Sequence, residues 1–164
     1  MAVGPNRTGE IRFERGEPVK LNLGKAALAG LVGTVVMTGL MLMAPKMGMP
    51  PMNIGAMLGS VMGGNVALGW AAHFMIGVVL ALGYAAFFAS RLPGPSAVRG
   101  ALYSLLPWLM AQVVVMPMMG MGFFSGSMIA AGGSLMGHLV YGLVLGLVYG
   151  TSPSSSFAAA GPRA

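Results

Sequence analysis

Two histidines, His73 and His138, are the only imidazoles in the chain, and each lies inside a long uncharged apolar run. A polar side chain at membrane depth is expensive, so each is a candidate for function. Fifteen of the seventeen methionines fall in two windows, Met37 to Met62 and Met110 to Met136, so thioether sulfur is concentrated rather than scattered. Thioethers are soft ligands that suit Cu(I), and imidazole suits copper or haem iron. A methionine-lined vestibule above two histidines is therefore coherent as a copper- or haem-handling site, with His73, His138, Met47, Met49, Met119 and Met121 as its metal ligands. The alternative is packing: one hydrogen bond from a neighbouring helix satisfies a neutral imidazole, and methionine fills irregular gaps between helices.

Other chemistries find little material. The chain has no cysteine and no aspartate, and its three glutamates, Glu10, Glu14 and Glu17, all precede the first apolar run. The apolar body thus lacks a carboxylate to act as general acid or base or to hold a hard cation, and the expectation is a protein that is not an enzyme. Gln112, Ser104, Thr34 and Thr38 suit hydrogen bonds within or between helices.

With 56% hydrophobic and only 7% charged residues, the chain is too poor in polar surface for a soluble fold of 164 residues. The net charge of +6 arises from nine basic and three acidic residues. The cations form no stripe and do not alternate with aromatics, so nucleic acid is not an expected partner. They lie beside apolar segments, where membrane topology signals belong.

Four apolar stretches carry the chemistry just described. They predict an all-α integral membrane four-helix bundle over residues 25–150, with spans at about 26–44, 68–88, 97–116 and 128–149. Residues 1–24 form a polar tail that lacks the pattern of a cleavable signal peptide, and 151–164 read as a disordered tail. Pro45, Pro50 and Pro51 forbid a straight helix between the first two spans, although Asn53 can cap a short one running through Gly59 at the interface. Pro107 predicts a kink in the third span, about one turn earlier.

Lys and Arg near helix ends stay in the cytoplasm. Arg7, Arg12, Arg15, Lys20, Lys25, Arg91, Arg99 and Arg163 fall on one side of the four spans, and Lys46 alone on the other. Both termini are therefore expected in the cytoplasm, with the methionine-rich loops outside. In a bacterium this means the inner membrane, with the loops in the periplasm.

The chain also matches itself. At an offset of 65, the twelve residues from His73 to Tyr84 align with those from His138 to Tyr149, six of them identical. At an offset of 72, Pro45-Lys-Met-Gly-Met49 aligns with Pro117-Met-Met-Gly-Met121. Two parallel two-helix repeats, related by an axis along the membrane normal, account for both matches. In each repeat the His, the Gly four residues on and the Tyr eleven on share one helix face. The small-residue runs Gly77/Ala81 and Gly142/Gly146/Gly150 are expected to bring the second and fourth spans together near the axis, with the histidines turned inward.

The segments Met41-Leu-Met-Ala-Pro45-Lys-Met-Gly-Met49, Leu68-Gly-Trp-Ala-Ala-His73, Arg99-Gly-Ala-Leu-Tyr103 and Gly137-His138-Leu-Val-Tyr141-Gly142 resemble a family of small bacterial membrane proteins known as a domain of unknown function. The resemblance covers about residues 25–150. It implies the four-helix topology and brings no activity with it.

Three functions remain open at this stage. One is a non-enzymatic accessory or packing subunit of a homo-oligomer or a larger membrane complex. The second is a copper- or haem-handling protein, and the third a small-solute or ion pathway formed by an oligomer in the lipid bilayer.

Overall fold

The computed structural model describes residues 3–5, 11–13 and 21–150. Much of the polar N-terminal tail and the whole C-terminal tail, the segment expected to be disordered, lie outside the described residues. In the N-terminal tail Val3–Pro5 pairs antiparallel with Ile11–Phe13. The rest of the described chain is helices and the turns that connect them.

Four helices are long and apolar enough to cross a membrane: Leu23–Met47, Val66–Phe88, Ser96–Met118 and Met128–Tyr149. At about 1.5 Å per residue, each exceeds the roughly 30 Å of a hydrocarbon core. Three of them begin at a side-chain cap that satisfies otherwise unpaired backbone N–H groups. Asn22 accepts from the Lys25 N–H at 2.9 Å, Asn65 from those of Ala67 and Leu68 at 3.0 and 3.1 Å, and Ser127 from that of Ala130 at 3.4 Å. The short helix Ile54–Ser60 is capped in the same way by Asn53. Pro45 enters a 3-10 turn that closes the first span, and the chain leaves it through Gly48 at φ 83°.

Two spans lose regular α geometry along their length. The second finishes in a π-turn over Tyr84–Phe88, and the third passes through another over Ala111–Val115. Pro107 lies inside the third span, and the π-turn begins after it, at Ala111. π-turns are one of the few ways in which a helix changes course.

The burial pattern is that of a protein whose solvent on the outside is apolar. Tyr84, Gln112, Thr34 and Ser104 are among the largest fully buried side chains, whereas Leu42, Val79, Phe87 and Leu147 are each about 60% exposed. In water this arrangement would leave a large apolar surface unpaid. In lipid it is the stable one, because alkyl tails are as apolar as leucine and the interior gathers the small and polar groups.

Around the bundle the order is second, first, fourth, third, with the short helix lying on the second span. The closest crossings occur at glycines. A Cβ on Gly30 would lie 2.7 Å from Ala81 Cβ and from the Gly77 carbonyl oxygen, and one on Gly77 would strike the Thr34 hydroxyl. In the other half, a Cβ on Gly100 would strike the Gly142 carbonyl, and one on Gly142 would strike the Gly100 carbonyl and lie 2.6 Å from Ser104 Cβ. The short helix is pressed on the second span in the same way, through Gly55, Gly59 and Gly69.

These crossings correct one expectation. The small-residue faces of the second and fourth spans do not pack on each other. Gly77 and Ala81 face the first span, while Gly142 and Gly146 face the third. A glycine notch is filled by the backbone of an adjacent antiparallel span, and the diagonal distance is left for larger side chains. Those are tyrosines: Tyr84 and Tyr149 meet edge to face at 6.1 Å, and Tyr84 stacks obliquely on Tyr103 at 5.3 Å.

Gly142→Val should therefore destabilise the bundle by about 3 kcal/mol, the upper part of the range for overpacking, because the neighbour it meets is backbone. Gly39, also mid-helix but with nothing within 4 Å of its missing Cβ, should accept Ala without loss. Equilibrium unfolding in mixed micelles measures both, and equal losses at the two positions would contradict the assignment of the crossing.

Candidate functional site

The second and third spans are held together at the tyrosine end. At the tyrosine end, the Tyr103 hydroxyl donates to the Leu80 carbonyl at 2.9 Å, joining the third span to the second. Phe88 packs on the same ring at 5.0 Å, and Arg99 Nη1 reaches the Ala89 carbonyl at 3.0 Å. One turn deeper, the Tyr141 hydroxyl donates to the Gly77 carbonyl at 2.6 Å across the diagonal between the fourth and second spans. Tyr141 also fills the notch at Gly33, where a Cβ would lie 2.9 Å from its ring.

Above this floor, toward the methionine end, a cavity of about 500 Å³ lies among all four spans, and its lining includes Tyr103, Tyr141, His73 and His138. Nine methionines share the lining: Met37, Met41, Met47, Met49, Met52, Met57, Met110, Met116 and Met136. The loop after the first span folds over toward the fourth, so that a Cβ on Gly133 would strike the end of Met49. Of the six ligands expected from the sequence, His73, His138, Met47 and Met49 thus line one space. Met119 and Met121 do not line it; the third span ends at Met118 and the chain turns away through Gly120 at φ 75°.

Each histidine is held by one ring nitrogen. His138 Nδ1 lies 2.8 Å from the Ser134 carbonyl oxygen, one turn earlier on its own helix. A carbonyl oxygen only accepts, so this nitrogen carries the hydrogen, and in the neutral ring Nε2 carries the lone pair. His73 Nε2 lies 3.1 Å from the Thr38 hydroxyl of the first span, a bond in which either partner can donate. Trp70 and Phe74 meet the His73 ring edge-on at 5.9 and 5.8 Å. His138 Nε2 and His73 Nδ1 have no hydrogen-bond partner among the described residues. The described residues contain no group of three or more His, Cys, Asp or Glu side chains able to hold a metal ion.

Behind His138 stands a polar network whose extent sequence reasoning misses. Gln112, fully buried, donates from Nε2 to the Ser134 hydroxyl at 3.2 Å and accepts at Oε1 from the Ser125 hydroxyl at 2.9 Å. Ser125 reaches it from a turn in which Phe124 and Ser125 both hold left-handed backbone, at φ 52° and 58°. Ser134 was findable from its spacing, four residues before His138 on one helix face. The Ser125 contact was not, because a left-handed serine leaves no mark in a pattern of apolar residues.

Neither curated proteins nor solved structures contain a match to this chain. The match lies with a family model: residues 21–157 fit the Family of unknown function (DUF6789), which spans all four helices and the cavity between them, and the chain belongs to that family.

Proposed function

We propose that this chain is a non-enzymatic, multi-pass protein of the bacterial inner membrane that binds a guest in the cavity at its methionine end, alone or as an accessory subunit of a larger assembly. One observation carries the reading. A space of about 500 Å³ receives two imidazoles, and each has a ring nitrogen without a hydrogen-bond partner among the described residues. That volume falls within the roughly 300–1,000 Å³ of small-molecule sites. A purely structural bundle would be expected to fill such a space, since interiors pack to the density of organic crystals. The tyrosine floor weighs against a conduit through a single copy, because Tyr84, Tyr103 and Tyr149 close the opposite end.

The tyrosine end carries Arg91 in its connecting loop and Arg99 in the first turn of the third span, which supports placing it and both termini in the cytoplasm. The crossings support reading the two halves as parallel repeats. Gly30 against Gly77 and Ala81 corresponds to Gly100 against Gly142 and Gly146, with Thr34 and Ser104 at equivalent places. A shift of 65 relates the second members of these pairs, and one of 70 relates the first.

A soft metal is the second reading of the guest. It is favoured by the nine thioethers that line the same cavity as both imidazoles, a donor set suited to Cu(I). Haem is the larger candidate; His73 and His138, on two different spans, would be the residues to hold its iron.

Reporter fusions should place both termini in the cytoplasm: green fluorescent protein should fluoresce at either end, and alkaline phosphatase should be inactive at both. An active phosphatase at one end would reject the orientation. Protein extracted in mild detergent should carry an extra mass in native mass spectrometry, or bound copper or iron in elemental analysis, reduced several-fold in the double variant His73→Ala, His138→Ala. A protein that carries no guest and takes up Cu(I) no better than a methionine-poor membrane control would retire the binding reading.

A further inference from the structure

We infer that the guest is a lipid-soluble molecule with a hydroxyl-bearing aromatic head, and that it enters sideways from the bilayer between the second and third spans. This rests on the guest-binding reading and adds to it the chemistry and the route.

The route follows from how the bundle closes. The second and third spans are joined at the tyrosine end, through Tyr84–Phe88 and the Tyr103 bond to Leu80. Beyond it, Ile76 on one span and Leu106 and Met110 on the other line the cavity while remaining 44, 51 and 53% exposed. A side chain that borders an internal space and also faces outward stands at an opening. Ile76 lies ten residues after Val66, about 15 Å from the methionine end of its span, which is the depth of the hydrocarbon centre. Whatever passes there is dissolved in lipid.

The head follows from the lining. Among the described residues that line the cavity none is charged, so a phosphate, carboxylate or ammonium group would be buried without a counter-ion. His138 instead offers a lone pair at Nε2, because Nδ1 is committed to the Ser134 carbonyl. A neutral hydrogen-bond donor satisfies it, and a hydroxyl is the simplest that a lipid-soluble molecule carries. Methionine sulfur packs favourably against aromatic ring edges, and nine thioethers surround the site. A metal could use the same lone pair, yet a single ion occupies a small part of about 500 Å³.

The full chain in lipid nanodiscs should bind 4-nonylphenol with one-to-one saturation in native mass spectrometry, at least tenfold more tightly than 4-nonylanisole, which has the same shape and no donor. His138→Phe should abolish this preference. Ile76→Trp combined with Leu106→Trp should slow uptake several-fold at unchanged capacity. Equal binding of phenol and ether by the unsubstituted protein would overturn the assignment of the head, a comparison that depends on no variant folding. Unchanged uptake by a folded tryptophan double variant would overturn the lateral route. Phenol that fails to bind a protein which takes up Cu(I), or retains an extracted guest, would overturn this inference and leave the binding reading standing. Failure of every guest would remove both.

Discussion

Helix backbones in this protein touch, and most of the architecture follows from that contact. In lipid, no hydrophobic force drives two apolar helices together, so association rests on close van der Waals packing and on interhelical hydrogen bonds. Gly30 on Gly77 and Gly100 on Gly142 supply the first, each at a distance where even a methyl group would collide with the neighbouring chain. The hydroxyls of Thr34 and Ser104 beside these crossings bond back to the Gly30 and Ala101 carbonyls of their own helices, at 2.8 and 2.7 Å. They can therefore sit within the contact without a buried unpaired group.

The same constraint explains where space appears. Two tight hairpins, first with second and third with fourth, still have to be joined, and the joint is uneven. The first and fourth spans pack along each other, whereas the second and third meet through tyrosine side chains at one end. Tyrosine is suited to that task because a large apolar ring fills a wide gap while its hydroxyl finds a carbonyl on the facing helix. Toward the other end no comparable wedge joins the second and third spans among the described residues. Flexible methionines line the gap instead, and they can repack around whatever occupies it.

What was legible in the sequence divides along physical lines. The four spans were, because uncharged runs of this length have few alternatives to a membrane helix, and Asn53 announced its short helix through cap chemistry. The inward His–Gly–Tyr stripes were also legible, since the 3.6-residue period alone fixes a face: Gly77, Tyr84, Gly142 and Tyr149 are all buried. The partner of each face was not. A glycine run says that something approaches closely without saying what, and Gly77 met the first span rather than the fourth. Met119 and Met121 fell outside the cavity although their motif aligns with that of Met47 and Met49, because the two loops take different courses, which a motif match cannot see.

The irregular third span ties these threads to the site. Gln112 lies inside the π-turn Ala111–Val115, the segment in which the helix departs from regular α geometry. Such turns shift the register of all side chains beyond them, and they recur at functional positions. Here the amide reaches the Ser134 hydroxyl, on the residue whose carbonyl orients His138, and it is braced from behind by a left-handed serine. Left-handed backbone at two consecutive non-glycine residues costs on the order of 1–3 kcal/mol each. A simple packing element would gain little from that expense. Its return is a buried amide with both ends satisfied, next to a serine whose carbonyl fixes which nitrogen of His138 bears the hydrogen.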